Sequence, residues 1–301
     1  MKITQKEQEE LRKLSRNLEI GNADFSDIKE NKTINKIENS EEYNLEPTYA
    51  MENREELRKN IIKKYIKEIK SFNKEENTYS NGVNAHKEVE IIIGYPASGK
   101  STLTNRQSYM NHARVIDSDE VKKMIPEYDN GMGATRVHIE SNIILKKIIS
   151  HCVAKGENII LPIVGSKKDK VEQYLELFTK NDYKIKLSVV NLPKNKCMAR
   201  AIGRFIDFGR YVSPFIINSY NNPDNILKSV IQDIENQKTD YPYNVTYIKR
   251  YDNDVKLGER AKLLQSIRVD SNKNIENVTN LKNISMNDIM KMMNDSIKPK
   301  L

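Results

Sequence analysis

Residues 94–102, Gly94-Tyr95-Pro96-Ala97-Ser98-Gly99-Lys100-Ser101-Thr102, fit GxxxxGK[ST] without a mismatch. Each residue type has a reason in phosphate chemistry. Gly94 and Gly99 let the backbone pass close to an oxyanion with no Cβ in the way. Successive backbone N–H groups turn inward as an anion-binding nest, and a helix starting at the loop's end adds its positive pole. Lys100 brings a charge to the β- and γ-phosphates, and the Ser101 hydroxyl is placed to ligate Mg2+. ATP is therefore the expected nucleotide and Mg2+ the expected metal.

Two further groups of residues complete a phosphoryl-transfer inventory. Asp117-Ser118-Asp119 follows the apolar run Arg114-Val115-Ile116. A kinase needs a base that takes the proton of the attacking hydroxyl, and it needs support for the metal. Asp119 is the candidate base and Asp117 the candidate metal support. The competing role for Asp119 is to cap a helix over 120–125. Arg200 and Arg204 lie four positions apart and so share a helix face, and Gly209-Arg210 follows a break. Such arginines stabilise the charge that develops on the transferring phosphate when a lid closes. A plain solvated face is the competing reading.

These residues need a scaffold that brings strand ends together. Short apolar runs at 89–93, 114–116, 158–161, 185–190 and 244–248 alternate with helical patterns over His138–Ala154, Lys168–Lys180 and Lys194–Phe208. The alternation predicts an α/β fold, a phosphate-loop NTPase-like parallel sheet with helices on both faces. Ligands then bind beyond the carboxyl ends of the strands. The phosphate loop follows its strand directly, and 101–110 can form the helix behind it, in the order the motif requires.

The flanks have a different texture. The expected division is a helical, polar extension over 1–88, a kinase domain over 89–250 and a helical extension over 251–301. Helical patterns cover 5–17 and 53–72, while 21–47 and 73–87 read as polar linkers. Met286, Met290, Met292 and Met293 near the end have the spacing of plain helix packing.

Composition limits the alternatives. The 301 residues carry 50 basic and 42 acidic side chains, a net charge of +8, and mean hydropathy is −0.70. No run of 18 apolar residues exists to span a membrane, and the first ten residues lack the apolar core of a secretory signal. Cys152 and Cys197 stand alone with no CxxC, which fits a reducing cytoplasm. The basic residues are spread along the chain rather than gathered with aromatics into one stripe, which argues against nucleic acid as a partner. Two readings stay open beside a small-molecule kinase: a kinase acting on another nucleotide or nucleic-acid hydroxyl, and a non-catalytic nucleotide-binding regulatory module.

Together the three groups resemble the zeta-toxin family of phosphate-loop kinases over about residues 88–250. Beyond the loop, the resemblance rests on Val115-Ile116-Asp117-Ser118-Asp119 and on Ile125-Pro126-Glu127-Tyr128, similar to a family HPDY-like segment. It also rests on Val137-His138-Ile139-Glu140-Ser141, similar to a His-x-Glu helix start, and on Arg200, Arg204 and Gly209-Arg210-Tyr211-Val212-Ser213-Pro214. The family's best-known activity is ATP-dependent 3′-phosphorylation of UDP-N-acetylglucosamine. The resemblance implies that Asp119 activates the acceptor, that Arg204 and Arg210 contact phosphates, and that Arg200 and Glu140 face the acceptor. It also implies an antitoxin protein as a further partner. Residues 1–88 lie outside the resemblance and read as an accessory helical region or docking arm, with a segment that shields the kinase as the other reading. One departure stands out. Many members end the third strand with an acidic residue followed by Gly-Thr, whereas this chain reads Leu161-Pro162-Ile163-Val164-Gly165-Ser166-Lys167. Backbone N–H groups at Gly165-Ser166, with Lys167 and Lys168, are the alternative place for an acceptor phosphate.

Overall fold

The computed structural model describes residues 3–41, 43–66, 72–73, 75–79, 81–237, 240–256 and 259–280. The N-terminal zone holds α1 (Gln5–Ile20), α2 (Phe25–Glu30), α3 (Lys32–Glu38), a 3-10 turn Thr48–Ala50 and α4 (Arg54–Ile66). Thr4 and Glu7 form a capping box on α1, and Gly21 closes that helix in the left-handed conformation at φ 81°. The stretch 21–47 is not a linker: it contains α2 and α3. Its Asp and Asn residues work as caps, Asp24 accepting from the Ser26 N–H and Asn31 from the Ile34 N–H. Ile28, Ile34 and Ile37 are buried with Leu11, Leu14 and Leu18 of α1. The expected helix over 53–72 is seen as α4, and residues 67–71 lie outside the described residues. Within 73–87 a short hairpin pairs β1 (Phe72–Asn73) with β2 (Thr78–Tyr79).

The central zone alternates as expected. It runs β3 (Glu88–Ile93), α5 (Lys100–Asn111), β4 (Arg114–Val115), α6 (Ser118–Lys123), a 3-10 turn Pro126–Gly131, α7 (His138–Ala154), β5 (Ile159–Ile163) and α8 (Lys168–Lys180). It continues through β6 (Lys184–Asn191), α9 (Lys194–Phe208), α10 (Pro214–Ser219), α11 (Pro223–Gln237) and β7 (Val245–Asp252). Two antiparallel strands follow, β8 (Lys262–Val269) and β9 (Ile275–Asn280). The seven-stranded sheet has the order β4-β5-β3-β6-β7-β8-β9, with the first five strands parallel. Residues 262–280, expected in a helical extension, form instead the two strands β8 and β9 joined by a turn. Buried Ile267 and Val269 flank exposed Arg268, the period-2 alternation of a strand with one face covered. The methionine-bearing stretch 286–293 lies outside the described residues.

Strand alternation splits the core. Val89, Ile91 and Ile93 pack with Ile144 and Ile148 of α7 and Leu175 of α8, while Ile92 faces Leu103 of α5 in a separate cluster. A third cluster joins α1, α2 and α3 to α9, where Leu11, Leu14 and Leu18 meet Met198, Ala201, Ile202 and Phe205. The Ser15 hydroxyl donates to the Ala199 carbonyl at 2.8 Å across this contact. The helix that carries Arg200 and Arg204 is thus braced from behind by the N-terminal zone.

Candidate phosphate-transfer site

The loop 94–99 runs from the end of β3 into the first turn of α5. Gly99 caps α5 at φ 90°, and a Cβ there would lie 2.0 Å from Asn253 Nδ2. At Gly94 a Cβ would stand 2.7 Å from Ser98 Oγ and 2.9 Å from the Val190 carbonyl. Close approach to the Val190 carbonyl requires glycine at 94, and the left-handed φ favours it at 99. Ala97 takes a left-handed φ of 60°, a conformation that strains a residue with a Cβ.

The donors of the cradle suit an anion. Ser98 Oγ is buried and has no hydrogen-bond partner, which is costly unless an oxyanion accepts its proton. The Lys100 ammonium folds back and donates to the carbonyl oxygens of Gly94 and Tyr95, each at 2.7 Å. Burial pushes this ammonium down to about 8, against the pull of Asp119 and Asp117. A polyphosphate entering the loop would satisfy both groups.

The acidic pair divides its work differently from the expected competition. Asp117, not Asp119, caps α6: its Oδ1 accepts the Asp119 N–H at 2.9 Å. The Asp117 N–H donates to the Tyr65 hydroxyl at 3.0 Å, and that hydroxyl donates to the Val115 carbonyl at 3.2 Å. A residue of α4 therefore fixes the strand end, a contact that no local sequence signal announces. The Asp119 carboxylate pairs with Arg210 and with Lys122 at 3.3 Å. Burial alone would raise its pKa, but Lys122, Arg210 and Lys100 outweigh burial and hold it below the usual carboxylate value. Asp117 goes the other way, raised by burial and by the neighbouring Asp119.

Arg210 follows Gly209, the left-handed cap of α9. Arg204 is part-buried and makes no hydrogen bond or ion pair among the described residues. Burial and the neighbouring Arg210 lower its pKa. A part-buried guanidinium without a carboxylate suits an anionic ligand. Arg200 Nη2 donates to the Asn253 carbonyl at 3.4 Å and stands 3.9 Å from Glu19 of α1.

The remaining candidates are distributed around this centre. Tyr95 is buried with Lys194 over its ring, Pro96 is part-buried, and Ser101 and Thr102 stand exposed at the start of α5. Ser166 offers its carbonyl to Asn221 at 3.3 Å, and Lys168 is committed to Asp233 at 2.7 Å. Glu140 is buried in a network supplied by the N-terminal zone. It accepts from Thr48 Oγ1 at 2.6 Å, from Arg54 Nε and Nη2 at 3.0 and 2.6 Å, and from Arg58 Nε at 3.0 Å. Arg54 also holds Glu127 through both terminal nitrogens at 2.6 and 3.0 Å. A cleft of about 580 Å3 opens beside Tyr95, between 191–194 after β6, 220–222 after α10, and Asp252 at the end of β7.

Among the described residues no group of three or more His, Cys, Asp or Glu could hold a metal by itself. Mg2+ commonly uses one or two carboxylates, with substrate phosphates and water completing its shell. Ser101 in the first turn of α5 and Asp117 just after β4 are a hydroxyl and a carboxylate of the kind such a shell uses.

A family model described as an AAA domain matches residues 89–205. No curated protein matches the chain in sequence. A solved structure from the PezAT chromosomal toxin-antitoxin system of Streptococcus pneumoniae aligns with a TM-score of 0.51 at 11% identity, covering 80% of this chain and 94% of that one. The fold is zeta-toxin-like. The native AvrRxo1-ORF1:-ORF2 complex aligns at 0.51 with 12% identity, over 75% of this chain and 70% of that one. The same pair with ATP aligns at 0.50 and 12%, over 82% and 73%. The zeta-toxin-like alignment extends well beyond 89–205, so it takes in part of the flanks as well as the loop.

Proposed function

We propose that the chain is an ATP-dependent kinase that transfers the γ-phosphate to a hydroxyl of a small molecule, with a nucleotide sugar such as UDP-N-acetylglucosamine as the first acceptor to test. The observation that carries this reading is the Asp119 carboxylate: the cap is made by Asp117, so Asp119 is left among Lys122, Arg210 and Lys100 beside the phosphate loop. A pure binding module needs no such group. The bound ATP of an AvrRxo1 structure supports the choice of nucleotide. The toxin-antitoxin neighbour supports an antitoxin protein as a further partner. No described helix is long and apolar enough to cross a membrane, and the proposed setting is the cytoplasm. The proposed catalytic unit is 89–250, with the N-terminal helices packed on α9.

The loop N–H groups and the Ser98 hydroxyl hold the phosphates, and Lys100 exchanges its two carbonyl partners for β- and γ-phosphate oxygens. Mg2+, held by Ser101 with Asp117, would neutralise charge on those oxygens. Arg204 and Arg210 close over the transferring group, and Arg210 leaves Asp119 as it does so. Asp119 then takes the acceptor's proton as its oxygen bonds to the γ-phosphorus and the bond to the β-phosphate oxygen breaks, leaving ADP.

The test is transfer of labelled γ-phosphate to UDP-N-acetylglucosamine, NAD and an oligonucleotide, with Asp119→Ala beside the wild type. Transfer to the first acceptor, lost in Asp119→Ala with ATP still bound, supports the full reading. No transfer to any acceptor with ATP bound would favour a regulatory module.

A further inference from the structure

We propose that Asn253, the first residue after β7, is a positioning residue of the phosphate loop. It acts by locking the peptide between Ser98 and Gly99. The proposal rests on the reading that this loop holds nucleotide phosphates.

Asn253 is tied down at three points. Its N–H donates to the Asn191 carbonyl at 2.9 Å, which anchors it to the end of β6. Its own carbonyl accepts from Arg200 Nη2 at 3.4 Å. Its side-chain Nδ2 donates to the Ser98 carbonyl at 2.7 Å. The side chain lies so close to the loop that a Cβ on Gly99 would reach within 2.0 Å of Nδ2. The second glycine of the motif thus makes room for Asn253 as well as for phosphate.

The consequence follows from peptide planarity. The Ser98 carbonyl and the Gly99 N–H belong to one trans unit and point in opposite directions. Holding the carbonyl toward Asn253 turns the Gly99 N–H away from it. Glycine at φ 90° resists a flip of that peptide less than other residues do, since both signs of φ are open to it. A flip would swap a donor for a carbonyl oxygen in an anion site, so the loop gains from an external lock. Arg200 gives the lock a second anchor on the arginine-bearing helix, and Glu19 links that arginine to α1.

The experiment uses the full chain and measures Kd calorimetrically, with Mg2+ present, for ATP and for inorganic tripolyphosphate. Asn253→Ala and the near-isosteric Asn253→Asp are compared with wild type, and thermal melts are run alongside. Loss of the lock is expected to weaken both ligands by a similar factor of about tenfold, the order of one hydrogen bond. Asn253→Asp should weaken binding more, because its carboxylate cannot donate to the Ser98 carbonyl and adds a negative charge beside the loop. Melting temperatures should stay close to wild type. Weakening of ATP alone would overturn the proposal, since Asn253 would then be reading the base. Wild-type affinity in a folded Asn253→Asp would also overturn it, as would a loss of affinity that only tracks a loss of folded protein. Lys100→Ala separates this from the underlying reading. If Lys100→Ala binds both ligands normally, the phosphate loop itself is not the site; if it loses both while Asn253→Asp binds normally, only the lock fails.

Discussion

Asp117 accepts the Asp119 N–H at 2.9 Å, so the first carboxylate of the pair starts α6 and the second is left for chemistry. The two should separate on mutation. Asp119→Asn is expected to lower phosphate transfer by about 10²–10⁴-fold, the range of a lost general base, with only the small stability loss of its part-exposed pairs with Lys122 and Arg210. Asp117→Ala is expected to cost about 1 kcal/mol for the missing cap, and to lower transfer through a weaker hold on Mg2+ rather than through loss of the base. Transfer assays and urea unfolding on both variants check this. Equal stability loss in the two would contradict the division of labour.

The Lys100 ammonium, lowered to about 8 by burial, gives nucleotide affinity a pH signature. A group with a depressed folded value loses its proton between about 8 and the ordinary lysine value of 10.5, where the unfolded chain still holds it. Below about 8 the lysine is charged and ready for phosphate. Affinity for ATP should therefore fall as pH rises from 7 to 9.5, and binding at pH 8.5 should take up protons. Calorimetry in buffers of different ionisation enthalpy measures both. A flat profile would show that Lys100 keeps its charge throughout.

The chemistry near 94–102 was legible because the motif is local: glycine, lysine and hydroxyl fall within nine consecutive positions, and strand and helix signals flank them. The parallel order was legible from alternating runs. Less was visible where long-range packing decides. Ile28, Ile34 and Ile37 are too few to show a period, and only burial against Leu11 and Leu18 makes α2 and α3 part of a core. Asn253 and Tyr65 reach the site from positions with no motif of their own. The partners of Glu140 come from residues 48, 54 and 58, which no pattern in the sequence connects to it.

Ala97 holds a left-handed φ of 60° between Pro96 and Ser98. A β-branched residue tolerates that region poorly, so Ala97→Val should cost about 1–3 kcal/mol. Ala97→Gly should be close to neutral, because relief of strain offsets the greater freedom of glycine when unfolded. Thermal and urea unfolding of the two variants check the contrast. A harmless valine would mean that the loop rearranges at no cost.

Arg54 is the joint between the N-terminal zone and the body of the fold, because it holds Glu127 and buried Glu140 at once. Removing one partner of a buried pair leaves an uncompensated charge, so Arg54→Ala should cost about 3–5 kcal/mol. The same contacts set a pH dependence. Burial would raise the Glu140 carboxyl, but hydrogen bonds from Arg54, Thr48 and Arg58 outweigh it, and Arg54 lowers Glu127. Both carboxyls thus bind protons less readily folded than unfolded. Their contribution is present in full above the unfolded carboxylate range near 4.5 and is lost as pH falls through the lowered folded values. Urea unfolding from pH 7 to pH 3 should show stability declining at the acid end. Glu140→Gln, which has no proton to bind there, should decline less steeply. An unchanged acid slope in that variant would place the pH dependence elsewhere.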